Sequence, residues 1–114
     1  MAPIKLITVN TAPERAKRLI ARVVDDMKEK YEIEHVANIE RVEDVKETVE
    51  RERPDVLFTA SMWTPEQAQE IVAIAKETCP NVKTLSLPYG LQVEKGPDAV
   101  VEYIKEKFPS VLGQ

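Results

Sequence analysis

A single cysteine, Cys79, is the only thiol in this chain. It rules out an internal disulfide and cannot build a thiolate cluster for zinc. Histidine is as scarce: His35 stands alone, in or beside a strand, and reads as a half-buried strand residue rather than a ligand or base. No apolar run approaches the length of a bilayer span, so no membrane segment is expected. Met1-Ala2-Pro3-Ile4-Lys5-Leu6 lacks the charged-then-apolar pattern of a secretion signal, and a cytoplasmic location is expected. Basic charge is short as well. A net charge of -4 argues against nucleic acid, because neutralising phosphates needs a basic face. What remains is 114 residues, 43% hydrophobic and 32% charged, which is one soluble globular domain with a sizeable core.

The centre of that domain is Val56 to Ala60, apolar without alternation, as a strand buried on both faces requires. Before it, Lys5 to Val9 makes a short first strand. Thr11 with Glu14 forms a capping box, Pro13 fits the first helical turn, and Ala16, Leu19, Ile20, Val23, Val24 and Met27 recur at helical spacing. Glu14 with Arg18 and Arg22 with Asp26 are i,i+4 ion pairs on the other face. Tyr31 to Val36 alternates with Glu32 and Glu34 on one side, the pattern of an edge strand. Glu40 to Arg53 is a charged surface helix with Val42, Val45 and Val49 inward, and Pro54 ends it.

After the central strand, Thr64, Pro65 and Gln67 open a third helix through a second capping box, and Ala68, Ile71, Val72 and Ala75 form its buried face. Val82 to Leu87 is a fourth strand, and Leu91 to Lys95 reads as loop. Gly96-Pro97-Asp98 opens the last helix, with Val100, Val101, Ile104 and Phe108 inward. Pro109 is expected to end it and leave a frayed tail. Strand and helix alternate throughout. Right-handed crossovers then predict a flavodoxin-like three-layer α/β/α sandwich with a four-stranded parallel sheet in the order 2-1-3-4.

Ligands of such sheets bind beyond the carboxyl ends of the strands, where the loops after strands 1, 3 and 4 meet. A phosphate cradle there needs glycine and free amides, but Asn10 to Glu14 has no glycine, uses one position on Pro13 and adds the negative Glu14. Asn10, Thr11 and Arg15, with Arg18 nearby, are the candidates for an anion in that loop. The element order and Pro54-Asp55-Val56-Leu57 resemble a response-regulator receiver domain. That family needs acidic residues after the first strand for magnesium and an aspartate ending the third. Here the first strand ends in Val9-Asn10 and the third in Thr59-Ala60, and the chain reads as one strand short of the fold. Receiver phosphorylation is rejected on those grounds. Arg53 to Leu87 also resembles cobalamin-binding domains, without their Asp-x-His-x-x-Gly signature. No metal, cofactor or catalytic residue is therefore expected.

The last third, Val82-Lys83-Thr84-Leu85-Ser86-Leu87-Pro88-Tyr89-Gly90 followed by Val93, Gly96 and a helix through Val100, Val101 and Ile104, is similar to the enzyme IIB subunits of sugar phosphotransferase systems, the cellobiose and galactitol types. That resemblance implies a single domain with four parallel strands. It also implies a phospho-accepting cysteine ending the first strand, where this chain has Val9 or Asn10. Cys79 sits on the opposite rim, at the end of the third helix, and cannot substitute.

The crevice loops carry apolar and aromatic residues instead. Met62 and Trp63 follow the third strand; Tyr89, Leu91 and Val93 follow the fourth. Together they predict a patch for a protein partner, since Trp and Tyr anchor such surfaces. Trp63 can equally pack on Ala68 as a staple, and Leu91 and Val93 can fold over the sheet end as core. Two functions stay open: a protein-binding module, natural or engineered, on an enzyme-IIB-like scaffold, and a phosphotransferase-like carrier or small anion-binding protein using Asn10 to Arg15.

Overall fold

The computed structural model describes residues 3–114. Met1 and Ala2, which belong to the segment read for a secretion signal, lie outside the described residues. Four parallel strands, β1 (Ile4–Val9), β2 (Ile33–Ile39), β3 (Val56–Thr59) and β4 (Lys83–Ser86), form one sheet in the order β2-β1-β3-β4. The predicted flavodoxin-like α/β sandwich is the observed fold. Helices α1 (Pro13–Asp26) and α4 (Leu91–Leu112) cover one face; a 3-10 turn (Val42–Asp44), α2 (Val45–Glu52) and α3 (Pro65–Thr78) cover the other.

β3 is buried along its whole length because both faces carry core. Val56 and Phe58 point into a cluster with Leu6, Ile20, Val101 and Phe108, whereas Leu57 points into one with Ile7, Val45, Val49 and Ile71. Phe108 meets Phe58 and Tyr31 edge-on, at ring-centroid distances of 6.2 and 5.1 Å. Edge-to-face contacts of this kind add to the burial of the rings. α1 buries Ala16, Leu19, Ile20 and Val23, the stripe its spacing predicts.

Several local features differ from the sequence reading. Thr11 does not cap α1: Ala12 is the N-cap residue, and Asn10 Oδ1 accepts from the Ala12 N–H at 2.8 Å. The charged residues of α1 pair across space rather than along the helix, Arg22 with Asp98 at 2.9 Å and Asp26 with Lys105 at 3.2 Å. Both pairs tie α1 to α4, a neighbour that helical periodicity alone cannot reveal. β2 begins at Ile33, so Tyr31 precedes it and packs on the core edge. Leu91 to Lys95 is helical, and only Gly96 (φ 84°, ψ 178°) breaks α4 before Pro97 restarts it. Glycine alone occupies that region without steric cost.

Pro109 does not end α4. A proline inside a helix costs about 3 kcal/mol through its missing N–H and ring clash. Here the next turn buries Val111, and Lys83 Nζ donates to the Leu112 carbonyl at 2.7 Å. The segment after it is docked rather than frayed: Gln114 bonds through its side chain to both backbone groups of Thr84.

Phe108 is fully buried and joins α4, β3 and the Tyr31 segment. Phe108→Ala is expected to lower the unfolding free energy by about 3–5 kcal/mol, read from urea titration monitored by circular dichroism.

Candidate functional site

The carboxyl rim of the sheet is stitched together by a few polar groups. Asn10 follows β1, and its N–H donates to the Ile39 carbonyl at 2.8 Å. Beyond β3, Ser61 is buried and accepts twice: its carbonyl from the Gly90 N–H at 2.8 Å and its hydroxyl from the Gln92 N–H at 3.1 Å. Thr11 reaches the Met62 sulfur from the other side, with Oγ1 at 2.8 Å. The loops after β1, β3 and β4 therefore form one connected surface with Met62 near its middle.

Trp63 is the post beneath that surface. Its side chain is only 8% exposed, and Nε1 donates to the Val9 carbonyl at 2.8 Å. The capping box of Thr64 and Gln67 begins α3 directly after it, with Gln67 N–H donating to Thr64 Oγ1 and Thr64 N–H to Gln67 Oε1. Of the five residues predicted for a partner surface, the structure exposes three: Met62 at 41%, Tyr89 at 62% and Val93 at 89%. Leu91 is half-buried against the α1–α4 core, and Trp63 is buried. The core reading of Trp63 is therefore the one the structure bears out.

The three residues expected to hold an anion lie in different surroundings. Asn10 is buried, with Oδ1 accepting from Ala12 and its carbonyl accepting from Asn38 Nδ2 at 2.9 Å. Thr11 faces Met62, and Arg15 is exposed on α1.

A polar network lies between β1 and β2 that sequence reading missed. The register of β1 with β2 slips between Leu6 and Ile7, leaving Val36 as an extra residue in β2. A bulge of this kind re-aims side chains. His35 and Asn38, three positions apart, consequently both reach Thr8: His35 Nε2 lies 2.8 Å and Asn38 Oδ1 2.6 Å from Thr8 Oγ1. Strict alternation would have sent them to opposite faces.

The bond from Asn38 Nδ2 to Asn10 fixes the orientation of that amide, so Thr8 must donate to Asn38 Oδ1. With that arrangement His35 Nε2 donates to Thr8 Oγ1. The crevice beside Thr8, lined by Asn10, Leu19, Phe58 and Ile104, holds about 20 Å³, room for a single water. Thr8, His35 and Asn38 form one hydrogen-bonded group across β1 and β2. Burial pushes the His35 pKa below its ordinary value of 6.5, and a hydrogen bond with the Ala37 backbone opposes that only in part.

Where a receiver domain carries its acceptor, β3 ends in Thr59, which is fully buried and whose hydroxyl has no partner among the described residues. The described residues contain no group of three or more acidic, histidine or cysteine side chains placed to hold a metal ion. Cys79 lies at the far end of α3, its sulfur 4.0 Å from the Pro54 carbonyl. The roomiest groove runs between α2 and α3 and is lined by charges of both signs, among them Glu43, Lys46, Arg53 and Glu77, a solvated seam between surface helices. Among the described residues no helix is long and apolar enough to cross a membrane.

No protein-family model matches the sequence. No curated protein matches it either. Among solved structures, the chain is similar to the signal receiver domain of the response regulator NarL from Mycobacterium tuberculosis, with a TM-score of 0.67 over 100% of both chains at 10% sequence identity. Identity that low shows the shared fold and nothing further. The expected kinship with enzyme IIB subunits is corrected by this match, which is to a receiver domain, and no family model supports enzyme IIB. The residues from Val82 to Ile104 that carried the resemblance form a strand, a turn and a closing helix. They mix inward positions such as Val82, Val100, Val101 and Ile104 with exposed ones such as Tyr89 and Val93, and a shared order of elements does not make a shared family.

Two measurements probe this site. Trp63→Phe removes the indole donor from a buried carbonyl and is expected to cost about 1–3 kcal/mol, while the native Trp63 emits blue-shifted and resists acrylamide quenching. His35 has a lowered pKa in the folded state, so the unfolded chain takes up the proton first as pH falls. Stability attributable to neutral His35 is thus fully present above its ordinary pKa of 6.5 and is lost as pH falls from there through the lower folded value. Denaturation of wild type and His35→Gln side by side across that window should show the wild type losing more.

Proposed function

We propose that this domain is a non-catalytic protein-binding module that presents the carboxyl rim of a receiver-like α/β sheet to its partner. The observation that carries the reading is the exposure of Met62 and Tyr89 on two loops, and of Val93 in the first turn of α4, whose backbones are pinned together through Ser61. Exposed apolar side chains on a rigid frame lose little conformational freedom on binding, which favours affinity. The polar groups of the rim point the same way. Asn10, Asn38, Thr8 and Ser61 are engaged in internal hydrogen bonds, leaving apolar contact as the main thing this surface offers. Trp63 supports the surface from below instead of anchoring the partner.

Site-specific photocrosslinking tests the reading. A benzophenone side chain at position 89, in the cells that make the protein, is expected to give a discrete adduct. Val93→Asp should abolish it without changing the melting temperature. The same probe at Asn81, exposed at the other end of the sheet, should give none. Equal adducts from both positions, or none from position 89, would refute the assignment.

A further inference from the structure

β4 is an edge strand, and its outer side is covered in an unusual way. The N–H groups of Lys83 and Leu87 donate inward to Asp55 and Thr59, so the backbone of Thr84 and of Ser86 faces away from β3. Gln114 meets Thr84 there: Oε1 accepts from the Thr84 N–H at 3.1 Å and Nε2 donates to the Thr84 carbonyl at 2.9 Å. One donor and one acceptor aimed at the same residue are what a residue of a neighbouring strand would bring. The carboxamide stands in for a peptide group. It covers Thr84 only, and Ser86 is exposed.

Beside this edge, on the α3 side, runs a largely apolar groove that includes Pro65, Ala68, Val72, Thr84, Ser86 and Leu87. None of its lining residues is charged, in a chain that is 32% charged and carries a net charge of -4. Two copies of an acidic protein repel one another, and this strip adds no charge of its own to that repulsion. Edge strands are also self-complementary, because antiparallel pairing about a two-fold axis presents the same groups from each side.

We infer that the β4 edge is a self-association surface held shut by the Gln114 carboxamide, and that its release lets two copies join β4 to β4. An antiparallel pair centred on Leu85 sets Thr84 against Ser86 of the second copy, each exchanging its N–H and C=O with the other. Pro88 has no N–H and ends the pairing at one side. The sheet then runs continuously through both copies, and each copy closes the other's groove. Tyr89 lines both this groove and the rim proposed above to hold a partner, whereas Met62 and Val93 do not line the groove, and the inference does not depend on that reading.

Sedimentation velocity from micromolar to millimolar concentration tests it on the full chain. Gln114→Ala is expected to dimerise at least about tenfold more tightly than wild type. Amide exchange at Thr84 and Ser86 should slow as the dimer forms. Ser86→Pro, added to Gln114→Ala, deletes the outward N–H and should return the monomer. Ser86→Lys does so by setting like charges across the axis while keeping the N–H, and covers the case in which the proline variant fails to fold. The inference is overturned if Gln114→Ala associates no more tightly than wild type, or if its dimer survives the folded Ser86 variants. A Gln114→Ala protein that stays monomeric throughout excludes a second copy and leaves this edge to an extended segment of another protein.

Discussion

A strand buried on both faces can exist only if its neighbours satisfy every backbone group, and β3 imposes that constraint here. Val56 to Thr59 has no access to water, so β1 and β4 must flank it in register and helices must close both faces. The rest follows from that demand. α1 and α4 bring the apolar side chains that cover Val56 and Phe58, and α2 and α3 those that cover Leu57. The α1–α4 ion pairs are exposed and contribute little on their own. Burial supplies the energy, and the pairing of β3 supplies the geometry.

The same constraint shapes the rim. Because β3 ends in buried Thr59, the chain must leave the sheet through Ala60 and Ser61 without stranding backbone groups. Val9 accepts from the Ala60 N–H and the Trp63 indole, and Ser61 accepts from the segment after β4. Hydrogen bonding that would otherwise be available for chemistry is absorbed in holding the loops. The rim exposes Met62, Tyr89 and Val93 beside the charged Glu94 and Lys95.

Much of the architecture was legible because it depends on local pattern. Unbroken apolar character marked β3, helical spacing marked α1, and Thr64 with Gln67 marked the start of α3. Other features were illegible for identifiable reasons. The β2 bulge is a one-residue slip in pairing, and only it unites His35 and Asn38 on Thr8. Leu91 to Lys95 lacks a clear helical period because its Val93 is exposed, yet the Ser61 contacts hold it helical. Pro109 is a helix breaker by propensity, and burial of Val111 overrides it. The enzyme IIB resemblance likewise followed the order of an edge strand, a turn and a closing helix, which many families share.

Order of elements and the unbroken burial of β3 are matters of residue type and spacing, and the sequence by itself determined them. Whether an aromatic side chain faces water or core, and which polar groups meet, depends on contacts between segments far apart in the chain. Trp63 lies 54 positions from the carbonyl it binds, and Gln114 lies 30 from the strand edge it covers. Tertiary structure alone decided those, because local pattern constrains which way a side chain points along its own element but not what waits for it there.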